Sequence, residues 1–174
     1  MDGDKRKRVA ESMMHGRLTL RPVQGQDCKL IWTLANDPSV RTYSFSSEFI
    51  PWNEHVRWFK SKLNDPYCIF YIAMNESGVP IGQIRFDKNV SQIVTSVSIT
   101  NQFRGRGHGS LIIKLASQKY FQVSDAQTIH AYVKKGNEAS KRAFLKAGFR
   151  KMGRTVIHEQ QAIHFVLRKG EMAS

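Results

Sequence analysis

Apolar and polar positions alternate with two different periods along this chain, and turn residues mark where one gives way to the other. Arg17 to Arg21 alternates, with Leu18 and Leu20 on one face, and Pro22 closes it as a strand. Gln26 to Leu34 has a helical pattern, and Asn36-Asp37-Pro38 punctuates it. Asn53 is placed to cap a second helix, in which Trp52, Val56, Phe59 and Leu63 recur at near-helical intervals. Asp65-Pro66 is a turn. Ile69 to Met74 reads as a short strand, and Glu76-Ser77-Gly78 turns it into Ile81 to Phe86. A further turn at residues 88–91 leads to Ile93 to Ile99, so three consecutive antiparallel strands are predicted.

A helix over residues 107–122 follows, with Ile112, Leu115 and Tyr120 inward. Thr128 to Val133 is the next strand. A helix joins it to the previous strand, so the two should run parallel through a right-handed crossover. Asn137 to Ala147 is a helix closed by Gly148, and Met152 to Ile157 with Ala162 to Leu167 form a last hairpin. The order is strand, two helices, three antiparallel strands, helix, strand, helix, two strands. It predicts an α/β fold of the α+β type, a mixed and mostly antiparallel sheet of about seven strands with helices on both faces. Residues 17–170 form one domain behind a flexible basic leader, residues 1–16.

Composition narrows this picture. The chain has 174 residues, enough for one domain with a core. No apolar run reaches the roughly 20 residues of a membrane span. The N-terminal basic cluster Lys5-Arg6-Lys7-Arg8 has no apolar stretch behind it, so it does not read as a secretory signal. Cys28 and Cys68 fit no metal spacing and read as reduced, partly buried thiols of a cytoplasmic protein. The formal charge of +13 calls for anionic ligands. With no zinc-finger or RNA-recognition signature, nucleic acid is set aside in favour of an anionic small molecule.

The candidate chemistry begins at Gln102-Phe103-Arg104-Gly105-Arg106-Gly107-His108-Gly109-Ser110. This segment lies between a strand and a helix. Three alternate glycines let the backbone approach a ligand, and several N–H groups can then point at one anion at the helix N-terminus. A phosphate or pyrophosphate fits there. The segment resembles the acyl-CoA-binding motif of the GNAT N-acetyltransferase superfamily, with Arg104, Gly105, Gly107 and Gly109 matching. Asn137 to Phe149 resembles that superfamily's second motif through Asn137, Gly148 and Phe149.

The resemblance covers roughly residues 17–168. It implies acetyl-CoA as co-substrate, no metal, and a splayed parallel strand pair ending at Ile99 and Val133, with the pantetheine between them. The backbone near Ile99 would bind the pantetheine and acetyl groups. The amides of Arg104, Gly105, Arg106, Gly107, His108, Gly109 and Ser110 would hold the pyrophosphate. Asn137 and Lys141 or Arg142 would lie beside the CoA. Lys134 and Lys135 read as a solvated edge.

Catalysis departs from the superfamily pattern. Phe144 stands where the common general acid is a tyrosine, Val94 where a glutamate base is usual, and Tyr132 where some relatives carry another glutamate. Strand alternation puts Val94, Ser96 and Ser98 on one face, opposite Ile93, Thr95, Val97 and Ile99; it puts His130 and Tyr132 opposite Ile129, Ala131 and Val133. The substitutes expected are Ser98, ordering a water that relays the amine proton, and Tyr132 or His130 assisting.

Residues 32–41 and 54–59, with Ile81 to Phe86, cover the part that shapes the acceptor pocket in the superfamily this chain resembles. Their pattern looks like the branch that acetylates amino-sugar nucleotides in pseudaminic-type acid synthesis. It implies a UDP-linked amino sugar as acceptor, met by Asn36, Arg41, His55 and Arg85. Arg57 lies in the same region, and Trp58 or Phe59 could contact a base or sugar. A polyamine or a protein N-terminus is the alternative acceptor. A catalytically weak basic binding module, favoured by Phe144 and the Lys-Arg leader, is the alternative function. A homodimer through an edge strand is the default expectation for assembly.

Overall fold

The computed structural model describes residues 18–171, so the predicted leader lies outside the described residues. Seven strands form one sheet in the order β1-β2-β3-β4-β5-β7-β6. They are β1 (Thr19–Pro22), β2 (Cys68–Met74), β3 (Pro80–Lys88), β4 (Ile93–Ile99), β5 (Thr128–Lys134), β6 (Arg150–Ile157) and β7 (Gln160–Arg168). Every neighbouring pair is antiparallel except β4 and β5. The predicted mixed sheet and its parallel crossover are both present.

Three helices, not two, separate β1 from β2: α1 (Cys28–Ala35), α2 (Pro38–Tyr43) and α3 (Trp52–Asn64). The extra one is α2. Asp37 and Pro38, which read as a stop, also start a helix: the Asp37 carboxylate accepts from the amides of Ser39 and Val40, and Pro38 takes the first turn. The cap of α3 is Pro51, with Asn53 inside the first turn. The remaining helices are α4 (His108–Val123) and α5 (Glu138–Lys146). Asn137 caps α5 by accepting from the Ser140 amide, and Gly148 leaves it at φ +98°.

Helices α4 and α5 cover one sheet face. Ile112, Ile113, Ala116 and Tyr120 of α4 pack there on Ile84, Phe86, Ile129 and Ala131. Leu115, expected inward, is half-buried, and Ile113 and Ala116 take the buried positions. On the opposite face, Ile31 of α1 and Phe59 of α3 pack on Phe70 and Ile72 of β2. That second apolar cluster ends at β2. Past it the same face carries Gln83, Arg85 and Asp87 of β3, then Val94, Ser96 and Ser98 of β4. His130 and Tyr132 of β5 and His164 of β7 continue it. Ser96 is exposed although it lies on the central strand. The first three helices therefore leave a polar groove over the middle of the sheet. No described helix is long and apolar enough to cross a membrane.

Candidate active site

The parallel pairing of β4 and β5 is registered at Val94 opposite His130. Beyond that point, at the C-terminal end of β4, lies a cavity of about 640 Å³. Its walls come from four places: Ser39, Val40, Tyr43 and Ser44 in and after α2; Val97, Ser98 and Ile99 of β4; residues 103–105 and 107–110 of the glycine segment; and Asn137, Ala139, Ser140, Arg142, Ala143 and Lys146 of α5. Of the ten residues expected at the cofactor, nine line it: Ile99, Arg104, Gly105, Gly107, His108, Gly109, Ser110, Asn137 and Arg142. Arg106 is not among the lining residues.

The glycines act differently from one another. Gly105 and Gly107 have φ of +73° and +81°, which other residues rarely adopt. Gly107 is the N-cap of α4, and residues 107–110 of its first turn line the cavity. Gly109 is helical, and a Cβ there would meet Ala143 at 3.6 Å, an ordinary contact. It marks where α4 and α5 approach.

Arg104 lines the cavity but has partners inside the protein. Its Nε donates to the Ile99 carbonyl at 2.8 Å, and its guanidinium reaches Asp37 Oδ1 at 3.2 Å and the Ser39 hydroxyl. The Ser39 hydroxyl and then Arg104 hold the Asp37 carboxyl below the usual carboxylate range. Arg104 thus ties the glycine segment to α2 across the cavity mouth. Lys146 and Tyr43 were missed in the sequence. Lys146 stands four residues after Arg142 on the same helix, and that spacing could have found it; nothing in the pattern announced α2.

The three residues expected in catalysis are not together. Ser98 lines the cavity and accepts from Gln83 Nε2 at 3.4 Å. Tyr132 and His130 form a separate cluster on the same sheet face. The Tyr132 hydroxyl donates to Gln92 Oε1 at 2.9 Å, and its ring stacks on His164 at 4.8 Å. His130 Nδ1 and His164 Nε2 lie 2.9 Å apart, one donating to the other. Burial pushes both imidazoles below their ordinary value, and the neighbouring His164 lowers His130 further. His164 was missed because the register of β7 against β5, Tyr132 opposite His164, is not written in either strand alone. Phe144 is buried against Phe149 and Phe165, at ring distances of 5.0 and 6.1 Å.

The four residues expected to meet an acceptor have their polar atoms engaged within the protein. Asn36 exchanges hydrogen bonds with the backbone of Ile50 at 2.8 and 3.1 Å. Arg41 donates to the carbonyls of Ala35, Ser46 and Glu48 and to the Ser44 hydroxyl. It holds together the loop that follows α2. His55 is 1% exposed and donates from Nε2 to the Cys28 carbonyl at 2.9 Å, so it is buried rather than turned toward an acceptor. Arg85 lies over the Trp58 ring at 4.9 Å and donates to Asp87 at 2.7 Å, while Lys62 holds the other Asp87 oxygen at 2.7 Å. Arg57 is exposed. Both cysteines are free and half-buried. Burial and the nearby Asp87 carboxylate push the Cys68 thiol up to about 11.

Residues 17–150 match the family described as the acetyltransferase (GNAT) domain. A search of curated protein sequences gives no significant match. Among solved structures, the fold is similar to the aminoglycoside acetyltransferase AAC(6')-Ib in complex with ribostamycin and coenzyme A. The TM-score is 0.78 at 18% identity, over 88% of this chain and 94% of that one. It is likewise similar to the spermidine N-acetyltransferase of Vibrio cholerae in complex with CoA and spermine, with a TM-score of 0.79 at 18% identity, over 88% and 96%. An uncharacterized protein from Bacillus halodurans gives 0.76 at 17% identity, over 88% and 85%.

Proposed function

The chain belongs to the GNAT acetyltransferase family, and on that premise we propose that it transfers the acetyl group of acetyl-CoA to a primary amine by direct attack in a ternary complex. The observation that carries this reading is the cavity at the end of β4, closed by the N-terminus of α4 and by α5. Its donors suit an anionic, elongated co-substrate. The first-turn amides of α4 would hold the pyrophosphate, and Arg142 and Lys146 would face the remaining phosphate. Asn137, though it caps α5, also lies on the cavity wall. Bound acetyl-CoA supplies an activated thioester carbon; the amine nitrogen bonds to it, and the carbon–sulfur bond breaks.

The chain's own part is positioning and proton movement. Ser98, at the cavity floor, orders a water that receives the amine proton. The Tyr132, His130 and His164 cluster lies on the same sheet face toward the N-terminal end of β4, where Tyr132 donates to Gln92, so further waters carry the proton from Ser98 to it. Lowered imidazole pKa values favour the neutral, proton-accepting form. Phe144 has no hydroxyl, so the thiolate is protonated from water.

The acceptor we infer is a UDP-linked amino sugar. Two features support it: the net charge of +13 and, among the described residues, a cavity lining without a carboxylate. Asp87, on the same sheet face, is neutralised by Lys62 and Arg85. Such surroundings disfavour a polycation. The likeness to a spermidine acetyltransferase favours a polyamine as the second reading. Calorimetry with CoA, followed by release of CoA thiol from acetyl-CoA with a UDP-linked amino sugar, spermidine and kanamycin, tests both. Thiol release with the sugar nucleotide supports the first reading, and release with spermidine alone supports the second. Absence of CoA binding would overturn the enzyme reading in favour of a binding module.

A further inference from the structure

Gln83 is paired with Ser98 across β3 and β4 and shares its sheet face. Its side chain is more than nine-tenths buried. Nε2 is used by the Ser98 hydroxyl, but Oε1 has no hydrogen-bond partner although it is shielded from solvent. A buried amide oxygen is an acceptor that ordinarily finds a donor. The nearest charged groups on its own strand, Arg85 and Asp87, are paired with each other, and Lys62 completes that pair.

From this geometry we propose that Gln83 Oε1 is the docking point of the acceptor amine, a specificity-determining contact that accepts one N–H of the nucleophile beside Ser98. The proposal rests on the acetyl-transfer reading above. Two N–H donors could in principle reach this oxygen, the acceptor amine and a pantetheine amide. Strand order separates them. The pantetheine is expected between β4 and β5, whereas Gln83 stands on β3, on the far side of β4 from β5. Ser98 lines the cavity and Gln83 lies directly behind it, so an amine docked at Ser98 meets Oε1 through a small turn of the Gln83 side chain. A neutral amide oxygen also suits a single amine on a neutral or anionic carrier, whereas a polycation calls for several carboxylates.

The test uses full-length protein labelled with nitrogen-15 in glutamine side chains, with the Gln83 signals assigned through Gln83→Leu. Butylamine and a UDP-linked 4-amino sugar are titrated into protein with and without CoA. The Gln83 amide signals are expected to move with amine and to stay in place with CoA alone. In turnover, Gln83→Leu is expected to raise the acceptor KM by about tenfold, the loss of one hydrogen bond to a polar ligand, while the acetyl-CoA KM stays within about twofold. Gln83→Glu retains an accepting oxygen and should restore the acceptor KM. Signals that move with CoA alone would give this oxygen to the pantetheine and overturn the proposal, as would signals unmoved by either amine. Failure to bind CoA would instead count against the acetyl-transfer reading, and the amine titration still reports on Gln83.

Discussion

Arg104 shows how one side chain can both line a cavity and belong to the frame that builds it. Its guanidinium is shared among the Ile99 carbonyl, Asp37 and Ser39, so its charge is largely spent on holding α2 against the glycine segment. Arg104→Ala is therefore expected to loosen a cavity wall. Charge-assisted hydrogen bonds of this partly exposed kind contribute on the order of 1 kcal/mol. Calorimetry should show acetyl-CoA affinity falling by about tenfold, with a small drop in Tm. Ser98 is a different case, since its hydroxyl lines the cavity and its partner is another side chain. Ser98→Ala is expected to lower kcat by roughly 10²-fold, the lower end of what general base assistance supplies. Tyr132→Phe should lower it less, because the phenol already donates to Gln92. Unchanged turnover in both variants would remove the proposed relay. Phe144 stood out through the resemblance to the superfamily, where a tyrosine is usual at this position, because a phenyl ring has no proton to give.

At the scale of elements, periodicity found every strand and four of the five helices, and it failed where two signals coincide in one residue pair. Asp37-Pro38 ends α1 and starts α2, since a residue that caps a helix also breaks one. The set expected inward on α3, Trp52, Val56, Phe59 and Leu63, was right at Phe59 and wrong at its two ends. Trp52 is 46% exposed and Leu63 is exposed, whereas His55 and Phe59 are buried. A polarity scale counts imidazole as outward-facing, but the Cys28 carbonyl satisfies its N–H and allows it to be buried. Strand β3 carries a constraint that composition hides. A Cβ on Gly82 would lie 2.5 Å from the Ser98 carbonyl and 3.0 Å from Ile99, so β4 would have to move at the cavity floor. Gly82→Ala is expected to cost about 1–3 kcal/mol, as overpacking does, and to lower kcat with it. Thermal unfolding and turnover of the same preparation check this.

At the scale of the whole molecule, three buried or half-buried imidazoles set a pH dependence. His55, His130 and His164 are each held below the ordinary value of 6.5, first by burial. A depressed imidazole pKa means that the unfolded chain binds the proton more readily. Its contribution to stability is full above about pH 6.5 and is lost as pH falls toward the lowered folded values. Tm should therefore drop as pH is taken from about 7 to about 5, and His164→Gln should flatten that curve by removing the charge that faces His130; a Tm independent of pH over this range would contradict the burial of these rings. The sequence by itself determined the strand and helix order and the parallel crossover, and it marked the glycine segment as a candidate anion cradle. Those follow from short-range rules: side-chain period, turn chemistry and the φ that glycine permits. Only the tertiary structure decided which polar groups remain available. Arg41, Asn36, Arg85 and His55 looked free in sequence and are engaged in hydrogen bonds within the protein. Gln83 looked like one polar residue in a strand and emerged with a buried oxygen beside the cavity floor. The partners of His55 and Gln83 lie 27 and 15 residues away in the chain and are met only on folding, so no local pattern can record them.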